Sequence, residues 1–345
     1  MKIIQIMGSY NDGGAEIFYI DALAALKNIN IEQYAIVNYK NKKGISKLNE
    51  LNIPFMAVSF NKLFKWSTKS TIAKVIKEFK PDIAHYWMGR ASSFMINGEH
   101  INVGWHSGFR GIERFKACDY HIALTKELKN HIASQGIEPD KIYELPIYTN
   151  KNVSKKLLRK DLDTPEDKPL LLSLSRLHKV KGIDILLEAM VKIPEAFLWV
   201  AGSGPLKKNL VEKTKKLGLN ERVKFLGWRD DSAALMATSD ICVFPSRNDA
   251  FGAVIIEAWA AKKPIISCKS PGPRAIIKDN YDGLLVEIDD VAQLVGAINK
   301  VINNNKLGKV LAKNGYAKFV ESYSKKAFTS NITRIYNSII KLKKK

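Results

Sequence analysis

The amino-acid sequence predicts an α/β protein built from two doubly wound domains, each a parallel sheet covered by helices on both faces. Short, nearly continuous apolar runs alternate with longer segments of helical periodicity along the whole chain. Strands that are apolar along their length are typical of parallel sheets buried on both faces. The chain has 345 residues, which is enough for two domains of about 150 residues each.

The first half of the chain predicts one sheet with helices in its connections. Its predicted strands are apolar runs bounded by polar or turn residues: Lys2–Met7, Gln33–Asn38, Pro54–Ser59, Asp82–Trp87, Ile101–His106 and His121–Leu124. Helical periodicity between them predicts helices at Ala15–Lys27, Lys69–Phe79 and Lys126–Gln135. We therefore assign residues 1–150 to a first domain.

The same alternation restarts in the second half. Its predicted strands are Pro169–Leu174, Phe197–Ala201, Val223–Leu226, Ile241–Phe244, Pro264–Cys268 and Gly283–Val286. The helical patterns between them include Gly182–Val191, Leu206–Leu217, Ser232–Thr238 and Ala253–Ala261. Residues 169–325 are accordingly assigned to a second domain.

Two further segments lie outside these domains. Residues 151–168 are polar and lead into Pro169, a composition typical of an interdomain linker. Residues 326–345 carry a helical pattern from Phe328 that ends in a basic tail. In a two-domain α/β protein such a helix can cross back onto the first domain, and a frayed tail is the alternative for its last residues.

The charge balance favours an anionic partner. Lysine and arginine number 55 against 34 aspartate and glutamate residues, a formal net charge of +21. Nucleic acid, a membrane surface and a phosphorylated substrate all fit such an excess, and a solvated lysine-rich surface is the alternative. Residues 151–345 hold most of it, with 36 basic against 20 acidic residues.

Cysteine usage and hydropathy exclude several other classes. Cys118, Cys242 and Cys268 are widely spaced and form no CxxC pair, which argues against a disulfide framework or a zinc ribbon and for a reducing compartment. No apolar run reaches about 18 residues, so no transmembrane helix is predicted. Gly8 follows the first apolar run too soon for a signal peptide.

Several residues follow predicted strands and are suited to bind phosphate. Gly13 and Gly14 lie between the first strand and the first helix, where backbone N–H groups and the helix dipole favour an anion. Arg176 and Lys181 follow the first strand of the second domain, and two cations there can bind a diphosphate. A tight turn and a surface loop are the respective alternatives, and Gly202-Ser203-Gly204-Pro205 is equally compatible with a simple turn.

The segment with the most candidate site residues is Phe244–Ala260, a strand end followed by a glycine-containing loop and a helix. Asp249 lies just before this helix, so it is either a ligand contact or an N-terminal cap. Glu257 lies within the otherwise apolar helix Ala253–Ala261. A buried carboxylate there needs a hydrogen-bonding partner, and ribose hydroxyls are suitable.

These segments resemble, in order and over nearly the whole chain, the GT-B glycosyltransferases of glycosyltransferase family 4. The matching pieces are Gly13-Gly14-Ala15-Glu16, His106, Ser175-Arg176-Leu177 with Lys181-Gly182, Gly202-Ser203-Gly204-Pro205, Val223-Lys224-Phe225-Leu226-Gly227, the Phe244–Ala260 segment and Asp282-Gly283-Leu284-Leu285-Val286. The sequences of Leu226–Asp231 and Ile256–Ala260 are similar to those of bacterial lipopolysaccharide-core transferases of the mannosyl type. The resemblance implies GT-B architecture, with two Rossmann-like domains facing a central cleft.

The resemblance also implies a function and a set of site residues. It implies a retaining, metal-independent hexosyltransferase whose nucleotide-sugar donor is a substrate, so no cofactor is expected; mannose from GDP-mannose is the expected sugar. Arg176, Lys181 and Gly14 would bind the diphosphate, Glu257 the ribose, and His106 would approach the transferred sugar, with Asp249 also in the catalytic set. The remaining implied donor contacts are Gly13, Gly202, Gly204, Phe251 and Gly252.

The chain departs from the family pattern at two places. The family usually has glutamate where this chain has Asp249, which is one methylene shorter and so leaves its contact with the donor sugar open. The family often has a Gly-Gly pair followed by glutamate after the strand that ends at Cys268. Here that loop reads Ser270-Pro271-Gly272-Pro273-Arg274-Ala275, without an acidic residue.

A basic, aromatic segment in the first domain points to a membrane surface. Ser59–Lys80 carries six lysines and one acidic residue, with Phe60, Leu63, Phe64 and Trp66 among the first bases. An ordinary helix over Thr71–Phe79 with a buried apolar face is the alternative. A lipid-linked acceptor would place the protein in the bacterial cytoplasm, peripheral to the inner membrane.

Other functions remain open at this stage. A GT-B enzyme using a UDP-sugar on a soluble or exopolysaccharide acceptor, a sugar-nucleotide epimerase and an inactive nucleotide-binding fold share the same motifs. A nucleic-acid-binding protein would explain the charge, but the aromatic residues form no RNA-recognition signature and the motifs would stay unexplained. We therefore expect no nucleic-acid partner.

Overall fold

The computed structural model describes residues 1–11, 13–27, 29, 31–150 and 155–343. The chain divides into two compact units, and unit 1 combines residues 1–147 with the C-terminal residues from Lys325 onward. Unit 2 is Tyr148–Ser324. Each unit is an α/β unit with one parallel sheet, so the predicted fold class is confirmed.

Unit 1 contains a seven-stranded sheet in the order β3-β2-β1-β4-β5-β6-β7. Its strands are β1 (Lys2–Met7), β2 (Glu32–Asn38), β3 (Phe55–Val58), β4 (Ile83–Trp87), β5 (Ile101–His106), β6 (Tyr120–Ala123) and β7 (Ile142–Glu144). All neighbouring strands pair in parallel, with Ile6 opposite Ile36 on one side of β1 and Tyr86 on the other. The carboxyl ends of all seven strands therefore meet at one edge of the sheet.

Helices cover this sheet. They are α1 (Gly14–Leu26), α2 (Lys42–Glu50), α3 (Lys65–Phe79), α4 (Met88–Ser92) and α5 (Lys126–Ala133), with 3-10 turns at Lys62–Phe64 and Pro139–Lys141. One core cluster packs Ile4, Ile36 and Tyr86 of the strands against Ile72 and Val75 of α3. Apolar strands thus pack against the apolar face of an amphipathic helix.

Unit 2 contains a six-stranded sheet in the order β10-β9-β8-β11-β12-β13. Its strands are β8 (Leu170–Leu174), β9 (Phe197–Ala201), β10 (Val223–Gly227), β11 (Ile241–Phe244), β12 (Ile265–Cys268) and β13 (Leu284–Val286). Its helices are α6 (Ile183–Val191), α7 (Lys207–Lys216), α8 (Ser232–Thr238), α9 (Ala253–Ala260), α10 (Pro271–Ile276), α11 (Val291–Ile302) and α12 (Asn305–Lys318). Shorter turns are the 3-10 helices Arg159–Leu162 and Lys179–Lys181 and the π-helix Phe319–Tyr323.

The C-terminal helix α13 (Lys325–Lys343) packs on unit 1. Phe328 makes an edge-to-face contact with Phe18 of α1 at 5.4 Å between ring centroids. The Tyr336 hydroxyl lies 2.6 Å from Nδ1 of the fully buried His85 in β4. Residues 344 and 345 lie outside the described part of the chain. Among the described helices, none is both long and apolar enough to cross a membrane.

The segment predicted to be a linker is folded onto unit 2 over its described part, residues 155–168. Arg159 is 7% exposed, and it donates to Asp240 at 2.9 Å and to the carbonyl oxygen of Lys168 at 2.8 Å. The Trp199 indole donates to Thr164 Oγ1 at 2.9 Å. The predicted linker is thus packed on unit 2 over its described part, which a polar composition does not reveal. Residues 151–154 of that prediction lie outside the described residues.

Candidate functional site

The loops that follow β8, β9 and β11 in unit 2 are tied together by backbone hydrogen bonds. Leu177 N donates to Ser203 O at 2.9 Å, and Arg247 N donates to Val180 O at 2.8 Å. The loop after β12 joins them, since Gly272 N donates to Asp249 O at 2.8 Å. The predicted residues of the second domain thus lie on neighbouring loops at the carboxyl edge of one sheet, where α/β proteins bind ligands.

Close packing between these loops explains two of the predicted glycines. Gly202 has a φ of +145°, and a Cβ there would lie 1.9 Å from the carbonyl oxygen of Ser175. A Cβ on Gly204 would lie 2.4 Å from the carbonyl oxygen of Leu177. Both glycines therefore hold the loop of Arg176 against the loop of β9, whether or not a ligand approaches them.

The two predicted cations differ in their surroundings. Arg176 is exposed, and its guanidinium makes no ion pair within the described ranges. The Lys181 side chain is 18% exposed, and its Nζ lies 2.5 Å from Asp249 Oδ2. The same ammonium lies 5.3 Å from the centroid of the Phe244 ring. Arg176 is thus open to an anionic ligand, whereas Lys181 is held in place by a carboxylate.

Asp249 bonds both to that lysine and to its own loop. Its Oδ1 accepts from the backbone N–H groups of Phe251 at 3.1 Å and Gly252 at 2.7 Å. The N-cap residue of α9 is Gly252, whose φ of +88° favours glycine. Asp249 is therefore not the N-cap itself, but it fixes the turn that leads into the helix and the position of Lys181.

The other two predicted residues of this segment are placed differently. The Phe251 side chain is 3% exposed and lies 5.9 Å from the Tyr323 ring, so it belongs to the core. Only the backbone of Phe251 remains a candidate for contact with a nucleotide-sugar. Glu257 of α9 is half-buried rather than buried. Its charge adds to the effect of burial in raising the pKa of the Cys242 thiol in β11.

Arg247 is a structural residue of the site that the sequence did not reveal. It forms a bidentate pair with Asp184, at 2.9 and 2.7 Å, and its Nε donates to Asp289 at 2.6 Å. Burial alone would raise the pKa of Asp184, but the hydrogen bonds and charge of Arg247 outweigh it and lower that pKa. The pair joins the loop of Asp249 to the start of α6. No sequence signal connects residues 63 positions apart.

In unit 1, His106 lies at the carboxyl end of β5 but is 3% exposed. Its Nε2 lies 3.0 Å from Nδ1 of His121, and its ring stacks on Phe115 at 3.8 Å between centroids. Burial lowers the pKa of both histidines, so both rings are neutral near pH 7. The His106 imidazole is thus packed inside the unit, and its predicted contact with a sugar stays a prediction.

Gly13 and Gly14 open α1, with Gly13 as the N-cap residue. A Cβ on Gly13 would lie 2.6 Å from Glu16 Oε2, and Ser9 donates to the other oxygen of that carboxylate. Gly14 is different, because a Cβ there would meet no heavy atom within 4 Å. Packing therefore does not require glycine at position 14, and the backbone beside it is open.

Within the described ranges of the chain, no group of three or more histidine, cysteine, aspartate or glutamate side chains is arranged to hold a metal ion.

The sequence is similar to those of known glycosyltransferases. Residues 154–318 match the family model described as Glycosyl transferases group 1. The chain is 29% identical over 333 residues to the lipopolysaccharide core biosynthesis glycosyltransferase LpsE of Rhizobium meliloti, covering 92% of this chain and 94% of that protein. It is 26% identical over 344 residues to LpsD of the same organism, covering 95% and 96%.

The fold has solved counterparts. The structure of Anabaena Alr3699/HepE in complex with UDP superposes with a TM-score of 0.86 at 21% identity, covering 98% of this chain and all of that one. The same protein has been solved with UDP-glucose, with a TM-score of 0.84. At this identity the likeness establishes the fold alone, and that fold is GT-B.

Proposed function

We propose that this chain, a glycosyltransferase with the GT-B fold, transfers a hexose from a nucleotide-sugar to a lipopolysaccharide-core or other lipid-linked saccharide, with retention of anomeric configuration. The observation that carries the proposal is the pair Arg176 and Lys181 on the loop after β8. One cation is open to solvent and the other is fixed 2.5 Å from Asp249. The similarity to LpsE over 92% of the chain supports the acceptor class.

The chemistry of the leaving group explains why two cations are suited to this position. Cleavage of the bond between sugar and diphosphate builds negative charge on the diphosphate. Fixed positive charges aimed at that group stabilise the transition state without a metal ion. Arg176 supplies a planar fork for two phosphate oxygens, and Lys181 supplies a point charge. Metal-independent transfer is therefore part of the proposal, and activity should persist in excess EDTA.

Glu257 provides the proposed contact with the ribose. It lies on α9, whose first turn follows the Asp249 loop, and it is half-buried. A carboxylate accepts hydrogen bonds from two vicinal hydroxyls, and a charged acceptor of this kind contributes about 1.5–3 kcal/mol. Glu257→Gln should therefore weaken donor binding without unfolding the protein. Titration of this variant and of the unaltered protein with the nucleotide-sugar measures the difference.

GDP-mannose is the first donor candidate and UDP-glucose the second. The likeness to Alr3699/HepE, whose structures contain UDP and UDP-glucose, supports the second candidate. A thermal-shift panel of GDP-mannose, UDP-glucose and ADP-glucose separates them. A donor at 100 times its dissociation constant stabilises the folded protein by about 2.7 kcal/mol. Stabilisation by none of the three, with the cations intact, would refute the proposed function.

The membrane contact of Ser59–Lys80 is a further part of the proposal. Leu63 and Trp66 are 86% and 85% exposed, whereas Phe60 is 5% exposed and belongs to the core. Ile72 and Val75 of α3 are also buried. The helix thus packs on the unit through Ile72 and Val75, whereas Leu63, Lys65 and Trp66 at its start form an exposed apolar and basic tip. Such a tip is suited to the anionic cytoplasmic face of a bacterial inner membrane.

Vesicle sedimentation tests this contact. Leu63→Ser and Trp66→Ser should reduce binding to phosphatidylglycerol vesicles and leave donor binding intact. Val310→Ser is the matched control, because Val310 of α12 is also exposed but lies in unit 2. Equal losses in all three variants would show that the tip has no special role.

A further inference from the structure

Two loops and the short helix α4, at the carboxyl edge of the unit 1 sheet, bring together two cations and two exposed tyrosines. Tyr10 follows β1, Tyr39 and Lys40 follow β2, and Arg90 lies in α4 directly after β4. Arg90 Cζ lies 5.3 Å and Lys40 Nζ 5.6 Å from the centroid of the Tyr10 ring. Lys40 Nζ also lies 5.9 Å from the Tyr39 ring. We call these four residues the cation–tyrosine cluster.

Buried hydrogen bonds hold the cluster in place. Asn38, at the end of β2, is 3% exposed, and its Nδ2 donates to Gly8 O at 3.0 Å. Its Oδ1 accepts from Lys40 N at 3.0 Å, and Tyr39 N donates to Val58 O at 3.0 Å. The backbone that carries Tyr39 and Lys40 is therefore fixed next to the loop that carries Tyr10. A binding surface that is already ordered loses little entropy when a ligand binds.

No acidic side chain of the described residues neutralises the charges of this cluster. Tyr10 and Tyr39 are 42% and 44% exposed. Lys40 and Arg90 are also exposed, and neither forms an ion pair with an acidic side chain among the described residues. Two cations within 6 Å of one aromatic ring attract an anion, and the partly exposed Tyr10 ring offers apolar surface beside them.

We propose that the cation–tyrosine cluster is an acceptor subsite for an anionic saccharide, one that carries a phosphate or a carboxylate. Arg90 presents a planar fork that matches either group, and Lys40 adds a second positive charge. The Tyr10 ring packs against the apolar face of the sugar ring. The assignment rests on the proposed function for its role as acceptor subsite, and it narrows the acceptor to sugars with a negative charge.

NMR titrations test the subsite on the full chain, with proton saturation transfer for the two sugars and phosphorus line broadening for inorganic phosphate. The probes are mannose 6-phosphate, mannose and inorganic phosphate. Mannose 6-phosphate should bind at least tenfold more tightly than mannose. Lys40→Gln and Arg90→Gln should each weaken that binding about tenfold, as expected for one charge-assisted contact. Tyr10→Ala should weaken mannose 6-phosphate but not inorganic phosphate, and Tyr10→Phe, which keeps the ring, should behave like the unaltered protein.

Two matched variants serve as controls. Lys27→Gln removes the same charge from an exposed lysine at the end of α1, which lies at the opposite edge of the sheet. Arg176→Gln reports on sugar phosphate bound to the donor cations of unit 2. Lys27→Gln should not weaken mannose 6-phosphate binding, and the binding that remains in Arg176→Gln is the part held by the cluster. A loss in Lys27→Gln as large as in Lys40→Gln would reduce the effect to net charge and overturn the proposal.

Other outcomes are equally decisive. Equal affinities for mannose and mannose 6-phosphate would overturn the anionic preference. If Lys40→Gln and Arg90→Gln lose binding to phosphatidylglycerol vesicles but keep mannose 6-phosphate binding, the cluster binds lipid headgroups instead. The probes need no donor, so the two proposals fail separately. Donor binding without sugar-phosphate binding refutes the subsite alone. Sugar-phosphate binding without any donor binding refutes the transferase function and leaves a saccharide site.

Discussion

Replacing Asp249 with asparagine separates the two tasks of this side chain. Asparagine keeps an oxygen that accepts from the backbone N–H groups of Phe251 and Gly252. Its amide group donates and cannot accept from Lys181, so the 2.5 Å ion pair is lost. The pair joins side chains that are only 18% and 21% exposed. Loss of a hydrogen bond between charged groups costs about 1.5–3 kcal/mol, which is the expected fall in the unfolding free energy of unit 2.

The same change should tighten the binding of a free nucleoside diphosphate. With Asp249 neutral, Lys181 no longer exchanges a carboxylate partner for phosphate, and the diphosphate no longer meets the charge of Asp249. A gain of about tenfold corresponds to 1.4 kcal/mol, less than the free energy of the broken pair. Urea unfolding gives the stability change, and calorimetric titration with GDP and UDP gives the affinity.

Glu188→Gln is the matched control for this experiment. Glu188 of α6 forms an ion pair with Lys213 of α7, and it lies within a helix rather than on the loops of the site. Its loss removes the same charge from unit 2 and should leave diphosphate affinity unchanged. If Asp249→Asn lowers stability but leaves the diphosphate affinity of the control and the variant equal, Lys181 belongs to the loop structure and not to the donor site.

Three further outcomes are expected. Arg176→Ala should lower kcat by about 10²–10³, as for loss of one electrostatic contact to the transition state, with an unchanged urea midpoint because the side chain is exposed; a shifted midpoint with unchanged kcat would contradict this. Arg247→Gln should raise the donor KM by releasing the loop of Asp249 from Asp184, with partial recovery in Arg247→Lys, and equal KM values would remove Arg247 from the site's support. Burial lowers the pKa of His85 to about 3, so between that pH and about pH 6.5 the unfolded chain binds a proton that the folded chain does not. The unfolding free energy should therefore be highest above about pH 6.5 and fall towards pH 3. Urea unfolding at pH 7 and pH 5 should show a smaller difference in unfolding free energy between the two pH values in His85→Phe than in the unaltered protein.

The strands were predictable because parallel sheets impose one simple pattern. Strands buried on both faces must be apolar along their length, and the predicted bounds of β1, β5, β9 and β11 coincide with the observed ones. Strand β7 was not predicted, since it has only three residues, Ile142–Glu144. A run this short has no periodicity to detect.

The candidate site could be predicted only in part. A residue that follows a strand can be assigned to the carboxyl edge of a sheet from sequence, which is how Arg176 and Asp249 were selected. The partners that hold such residues come from distant positions. Arg247 pairs with Asp184 and Arg159 with Asp240, across 63 and 81 positions, and local patterns carry no information on these contacts.

Burial was the property that sequence described least well. Glu257 was expected to be buried because its helix is apolar, yet it is half-buried. The sequence places His106 at a strand end but does not show that its ring is buried against Phe115 and His121. Sequence gives the face of a helix or strand on which a residue lies. The exposure of a residue at the end of such an element depends on the loops around it, and these have no periodic pattern.

Gly14 and Gly204 allow a last prediction that separates ligand binding from packing. Both were selected as glycines after a strand, but a Cβ at Gly204 would lie 2.4 Å from Leu177 O, whereas a Cβ at Gly14 would meet nothing within 4 Å. Gly204→Ala should therefore disrupt the loops of unit 2 and lower stability. Gly14 is the first residue of α1, so Gly14→Ala should leave stability unchanged or raise it by up to about 1 kcal/mol. If an anion approaches the backbone there, the added methyl group obstructs it, and nucleotide-sugar affinity should fall. Unchanged affinity in a Gly14→Ala protein of full stability would show that the open backbone at the start of α1 binds no donor.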